Sequence, residues 1–212
     1  MSDKQRNADR ASANRAAVAT GTRLDPWYNT YADRALGMRQ SEVRSLFAVA
    51  NRPEVVSLAG GMPNIEGLPL EFLAEMSSRL LRDRGASILQ YGSGQGSDEL
   101  REMIVEVMRP DGIRGHADDV VVTTGSQQAV DILTELFIDP GDVVLAEAPS
   151  YVGALGVFRA RQADIVHVPM DEHGIIPEAL VETIRDVRAS GRTIKFIYII
   201  PNYHNPAGVT LS

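Results

Sequence analysis

The sequence predicts an α/β fold in which a mostly parallel sheet carries helices on both faces. After Asp119, short apolar segments alternate with amphipathic ones, and this order is typical of βαβ units with parallel strands. The short segments are apolar at nearly every position, as expected for strands that are covered on both sides. The predicted strands are 120–123, 143–146, 165–168 and 194–200, and the predicted helices between them are 126–138, 151–162 and 177–189.

The part of the chain before this alternation is predicted to be less regular. Residues 1–40 begin polar and alanine-rich, and we interpret them as a mobile tail and arm. Residues 41–68 contain an amphipathic helix at 41–50. The main domain is predicted to cover 69–212, with one helix that begins after Pro69 and another that is capped by Ser97.

Composition narrows the classes of function. The 212 residues carry a net charge of −7 and no basic block, which disfavours a nucleic-acid partner. No apolar run reaches the ~20 residues that span a bilayer, so we expect no membrane partner and a cytoplasmic location. The sequence contains no cysteine, and His116, His167 and His173 lack the spacing of metal ligands. We therefore expect no metal and favour chemistry on a small molecule.

A glycine turn lies between the first predicted strand and the helix that follows it. In Thr123-Thr-Gly-Ser-Gln-Gln-Ala129, Gly125 permits close approach, and the amides of Ser126 and Gln127 lie at the helix N-terminus. Unpaired N–H groups and the helix dipole favour an anion there, so the turn is a candidate phosphate cradle. The alternative is that Ser126 only caps its own helix.

Two further candidates follow later strands, at the edge of the sheet where ligands of such folds bind. Tyr151 follows 143–146, and its ring can cover a flat ligand, although a tyrosine in that place is also a common packing residue. Asn202 and Asn205 follow 194–200, in a loop that two prolines restrict. An amide held there can donate to a phenolate-like oxygen without titrating.

Several motifs in this order resemble the pyridoxal-phosphate aminotransferases of fold type I, and within them the 2-aminoadipate and kynurenine aminotransferase group. The motifs are Ser57-Leu-Ala-Gly-Gly-Met-Pro63, Gln90-Tyr-Gly-Ser-Gly-Gln-Gly96 with Leu100-Arg101, Thr124-Gly-Ser-Gln-Gln128, Pro149-Ser-Tyr151 and Asn205-Pro-Ala-Gly208. The resemblance implies the large domain of fold type I, with 41–68 as an N-terminal helix and substrate-side segment and 69–212 as a partial cofactor-binding domain.

The resemblance also implies roles for single residues. Gly125, Ser126 and Gln127 would hold the phosphate of pyridoxal 5'-phosphate, Tyr151 would stack on its ring, and Asn205 would bind its 3-oxygen. Substrate contacts would come from Arg44, Gly61, Tyr91, Tyr151 and Asn205.

Two further expectations concern the assembly and the exceptions to the family pattern. Tyr91 would reach the cofactor site of a partner in a homodimer of the full-length protein. Ala207 stands where the family commonly has threonine, and His204 is interpreted as a spectator.

The implied reaction transfers an amino group between an amino acid, such as 2-aminoadipate, glutamate, an aromatic or a branched-chain one, and a 2-oxo acid. The family's Schiff-base lysine, pyridine-binding aspartate and carboxylate-binding arginine all lie beyond the Asn-Pro motif. We therefore expect the domain to be truncated before that lysine at Ser212, with no catalytic residue in this chain. Lys4 lies in the tail, and Lys195 lies roughly 20 Å from the ligand edge, at the start of its strand.

Three alternatives remain open. The same scaffold serves pyridoxal-phosphate lyases and decarboxylases, which a requirement for a 2-oxo acid would separate from aminotransferases. Some transcription regulators carry an aminotransferase-like domain behind a winged helix, for which the residues before Ser41 are too few and too polar. The third alternative is a non-catalytic fragment that only binds ligands.

Overall fold

The computed structural model describes residues 27–36, 52, 54–56 and 65–212. The chain divides into two compact units, one formed by Gly61–Ala129 and the other by Met1–Gly60 with Val130–Ser212. Helix α4, Gly125–Phe137, begins in the first unit and ends in the second. No helix among the described residues is long and apolar enough to cross a membrane.

The unit Gly61–Ala129 consists mainly of two helices, α2 (Leu70–Ile88) and α3 (Asp98–Met108), and two 3-10 turns (Arg109–Asp111 and Ala117–Asp119). Ser97 caps α3 as predicted, because its hydroxyl accepts a hydrogen bond of 3.3 Å from the amide of Leu100.

One predicted strand in this unit is wrong. Residues 120–123 form no strand, and Val122 instead donates its amide to the carbonyl of Gln95 at 2.8 Å. A strand exists only where a neighbouring strand takes up its hydrogen bonds, and the described residues supply no such neighbour here. The apolar residues indicate that this segment can be buried, but they do not show that a neighbouring strand pairs with it.

The other unit contains the sheet, whose strand order is β3-β2-β1-β4. Strand β1 (Val143–Ala148) lies parallel to both β2 (Asp164–Asp171) and β4 (Ile194–Tyr198), and the two-residue strand β3 (Gly174–Ile175) runs antiparallel to β2. The predicted parallel sheet is therefore confirmed, with three strands beginning within a residue of their predicted starts.

Helices cover both faces of β1, as the sequence predicts. Side chains alternate along a strand, so Val144 and Ala146 face helix α5 (Val152–Ala160), where they join a buried cluster with Phe158. Val143 and Leu145 face helix α6 (Pro177–Ala189) on the opposite side, in a second cluster with Val187. These two clusters fix the strand whose carboxyl end carries the loop to Tyr151.

The part of the predicted tail that the structure describes contains a 3-10 turn at Tyr28–Thr30 and helix α1 at Asp33–Leu36. The sequence did not predict these turns. The helix predicted at 41–50 lies outside the described residues.

Candidate functional site

The glycine turn opens helix α4 as predicted. Gly125 has a φ of +73°, a left-handed backbone conformation that residues other than glycine adopt only at a cost in free energy. The turn is held locally, since Thr123 Oγ1 donates to the Gly125 carbonyl at 3.1 Å and Gln128 Oε1 accepts from the amide of Thr124. Ser126 and Gln127 are exposed in the first turn of the helix, where N–H groups point away from the helix body. A hydroxyl and helix N-terminal amides form a donor set that suits a phosphate dianion.

Tyr151 lies between the end of β1 and the start of α5. Its ring is half-buried beside the cluster that contains Phe158, and it lies against the backbone of Gly153. A methyl group added at Gly153 would come within 2.4 Å of Tyr151 Cζ, so glycine at this position leaves room for the ring. Tyr151 is thus both a packing residue and a residue of the sheet edge, and its stacking on a ligand stays a prediction.

Tyr198 ends β4 next to this ring. Burial raises the pKa of the Tyr198 hydroxyl above its usual range, and the nearby Tyr151 and Glu147 add to the effect. Tyr198 packs edge-on against Phe158, with ring centroids 5.5 Å apart. The phenol therefore stays neutral at the sheet edge over the physiological range.

The asparagine loop follows β4. Asn202 is exposed and Asn205 is half-buried. The segment that contains Asn205 is closed by a 2.8 Å hydrogen bond from the amide of His204 to the carbonyl of Val209. Since β1 and β4 are adjacent and parallel, Tyr151 and Asn205 follow the carboxyl ends of neighbouring strands. The predicted placement of these two residues at one sheet edge is confirmed.

His204, which the sequence predicts to be a spectator, is buried against a carboxylate. The side chain is 2% exposed, and its Nε2 lies 3.0 Å from Oε2 of Glu147, which is itself 1% exposed at the end of β1. Glu147 was not among the residues predicted from the sequence. The available signal was a carboxylate within an otherwise apolar strand, because such a group requires a buried partner.

The remaining predicted residues divide into described and undescribed ones. Tyr91 lies in the glycine-rich turn before α3 and is fully exposed. Arg44 and Gly61 lie outside the described residues.

Lys195 lies near the start of β4, where its Nζ is 3.1 Å from Asp142 Oδ2, so its predicted place at the far end of the strand is confirmed. His116, His167 and His173 are exposed, as predicted. Among the described residues, no group of three or more acidic or histidine side chains could hold a metal ion.

A model of the family described as aminotransferase class I and II matches residues 53–212. The chain belongs to this family. The resemblance derived from the motifs is therefore confirmed, and so is the α/β fold of the aminotransferase, since solved aminotransferases superpose on most of the chain.

Three relatives define the similarity. Aromatic-amino-acid aminotransferase 1 of Thermococcus litoralis is 38% identical over 183 residues, which are 86% of this chain and 44% of the relative. Kynurenine aminotransferase of Pyrococcus horikoshii, solved with PMP, has a TM-score of 0.81 and 33% identity, and the match covers 90% of this chain and 47% of that one. The α-aminoadipate aminotransferase of Thermus thermophilus, solved with N-(5'-phosphopyridoxyl)-L-leucine, has a TM-score of 0.73 and 35% identity, and the match covers 88% of this chain and 44% of that one. The aminotransferase chain thus spans less than half the length of these relatives.

Proposed function

We propose that this chain forms part of the pyridoxal-phosphate site of an aminotransferase that moves an amino group between an amino acid and a 2-oxo acid. The observation that carries the proposal is the turn at the start of α4, where Gly125, Ser126 and Gln127 present a hydroxyl and helix amides at an exposed N-terminus. The N-terminal amides of a helix and the helix dipole both favour an anion at such a turn.

The proposed roles of the chain's own residues follow from their chemistry. Ser126 and Gln127 bind the phosphate, Tyr151 covers one face of the pyridine ring, and the amide of Asn205 donates to the ring oxygen. When bound, the cofactor supplies an electron sink for the charge that develops at the α carbon of the amino acid. Lys195 is excluded from the proposed site because it pairs with Asp142 at the opposite end of its strand. The activity therefore requires a lysine from outside the described residues.

The proposed substrates include both acidic and apolar amino acids. We assign recognition of a distal carboxylate to Arg44, whose guanidinium fork suits that group and whose long side chain can turn away for leucine or an aromatic residue. Gly61 is proposed to contact the substrate through its backbone. Support comes from the relatives, because an α-aminoadipate aminotransferase was solved with a leucine adduct.

The proposed assembly is a cytoplasmic homodimer of the full-length protein in which Tyr91 enters the partner's site. The full exposure of Tyr91, in a turn rich in glycine, supports a role outside its own core.

Assays of the full-length protein test the proposed reaction and its substrate range. We expect turnover to require a 2-oxo acid, whereas product formed without one would identify a lyase or decarboxylase. Arg44→Ala should cost about 1.5 to 3 kcal/mol in kcat/KM toward 2-aminoadipate, the scale of a lost charged hydrogen bond, and little toward leucine. Arg34→Ala, at an exposed arginine of α1, is the matched control. Equal losses for both substrates would make Arg44 structural.

A further inference from the structure

Glu147 is a buried carboxylate that joins the ends of two strands. The ladder between β1 and β4 pairs Ala146 with Tyr198, and Glu147 extends the connection because its Oε2 accepts a 2.8 Å hydrogen bond from the amide of Ile200. Burial of a carboxylate without partners costs several kcal/mol, so this side chain requires each contact that it makes.

His204 provides the second contact. Its Nε2 lies 3.0 Å from Oε2 of Glu147, and its Nδ1 accepts a hydrogen bond of 3.3 Å from the amide of Ala207. Because Nδ1 acts as an acceptor, this hydrogen-bond network assigns the ring proton to Nε2, on the side of the carboxylate. Nε2 makes no aligned hydrogen bond with the described residues, so its 3.0 Å contact with the carboxylate is electrostatic.

The backbone around His204 makes the ring part of a closed loop. The His204 amide donates to the Val209 carbonyl at 2.8 Å, the Gly208 amide donates to the His204 carbonyl, and the Leu211 amide donates to the Pro201 carbonyl at 2.8 Å. Asn205 lies inside this loop, directly after the buried ring. A shift of the ring therefore moves the backbone that carries the Asn205 amide.

We infer that Glu147 and His204 form a positioning pair that holds the Asn205 loop against the end of β1. Neither side chain is assigned a contact with the cofactor. Glu147 also lies four residues before Tyr151 in the chain, so one buried carboxylate lies close to both the Tyr151 loop and the Asn205 loop. The inference rests on the proposed function for the role of Asn205, while the pair itself is a property of the chain without ligand.

The first test is nuclear magnetic resonance of the ligand-free chain, which requires no variant. We expect the nitrogen shifts of His204 to show an unprotonated Nδ1 and a protonated Nε2. In Glu147→Gln the Nε2 signal should move, while the signals of the exposed His173 stay in place. A His204 ring with the proton on Nδ1, or one that exchanges freely between tautomers, would contradict the pair.

The second test is a double-mutant cycle, read by the affinity for N-(5'-phosphopyridoxyl)-L-leucine. We expect His204→Leu to weaken binding about tenfold, the scale of one hydrogen bond lost, and to have little effect when Asn205→Ala is already present. His204→Gln, which keeps an amide donor, should recover part of the loss, and His173→Leu is the matched control.

The outcomes of the cycle separate the two proposals. Equal weakening by His204→Leu in both backgrounds would give the pair a general structural role and overturn the inference. If Asn205→Ala alone left the affinity unchanged, the role assigned to Asn205 would be wrong, and the pair could have no positioning role through it. The contact between Glu147 and His204 would then still be established by the tautomer measurement. If His204→Leu failed to fold, the cycle would be run with His204→Gln, and an additive effect there would count against the inference.

Discussion

Gly96 closes the turn between Tyr91 and helix α3, and it has φ of +101°. A methyl group at this position would come within 2.6 Å of Cγ2 and 2.9 Å of Cβ of Val122. The same two segments are joined by the hydrogen bond from the Val122 amide to Gln95. Glycine is therefore required here by both backbone conformation and space, whereas Gly94 has nothing within 4 Å of an added methyl group.

Gly96→Ala is expected to lower the free energy of unfolding by about 2 kcal/mol, from left-handed strain and the clash with Val122. Gly94→Ala is the matched control and should change stability much less. Urea denaturation followed by far-UV circular dichroism measures both variants. Equal effects at the two positions would contradict both the backbone strain and the clash that are assigned to Gly96.

Single residues also mark where sequence reasoning succeeds and where it stops. Tyr151 and Asn205 could be placed from the sequence because each follows an apolar strand, and strand ends of a parallel sheet meet at one edge. The pairing of Glu147 with His204 could not, because it joins a residue of β1 to a residue that follows β4, across a sequence separation that no local pattern encodes.

At the scale of elements, Arg101 connects α3 to the 3-10 turn Ala117–Asp119. The side chain is buried, donates to the Ala117 carbonyl at 2.8 Å, and also bonds the carboxylate of Asp98. Hydrogen bonding to Asp98 raises the pKa of the Arg101 guanidinium above its usual range. Arg84 instead makes a surface ion pair with Glu99 at 2.8 Å, with about half of each side chain exposed.

Arg101→Met should therefore lower the melting temperature clearly, because it leaves the Ala117 carbonyl and Asp98 without their partner. Arg84→Met serves as the control and should have a small effect, since exposed ion pairs contribute little. Differential scanning calorimetry compares the two variants. A larger effect from Arg84→Met would place the main connection of this unit at the α2–α3 pair instead.

Elements were predicted well where packing agrees with local signals. Helix α6 begins at Pro177 and ends at Ala189 as predicted, because Pro177 fixes the first turn and its apolar face packs on the sheet. The strand predicted at 120–123 is absent for the opposite reason. Its apolar residues matched a strand, but pairing depends on a neighbour that the sequence of the segment does not specify.

At the scale of the whole molecule, family membership and the site have different support. The match over residues 53–212 covers most of this chain, whereas the chain covers less than half of its relatives. The glycine turn of α4 lies in one unit, and the loops of Tyr151 and Asn205 lie in the other. Ligand binding therefore tests the proposed roles of the glycine turn and of the two loops.

The most direct measurement is the affinity of the chain for N-(5'-phosphopyridoxyl)-L-leucine compared with the same adduct without its phosphate, by isothermal titration calorimetry. This adduct bypasses the lysine that the proposed reaction requires. The proposed cradle predicts that the phosphorylated adduct binds at least about tenfold more tightly, the scale of a charged hydrogen bond. Ser126→Ala should reduce that difference, while Ser87→Ala, at an exposed serine of α2, should preserve it. Equal affinity for the two adducts, or no binding of either, would contradict the proposed cofactor site.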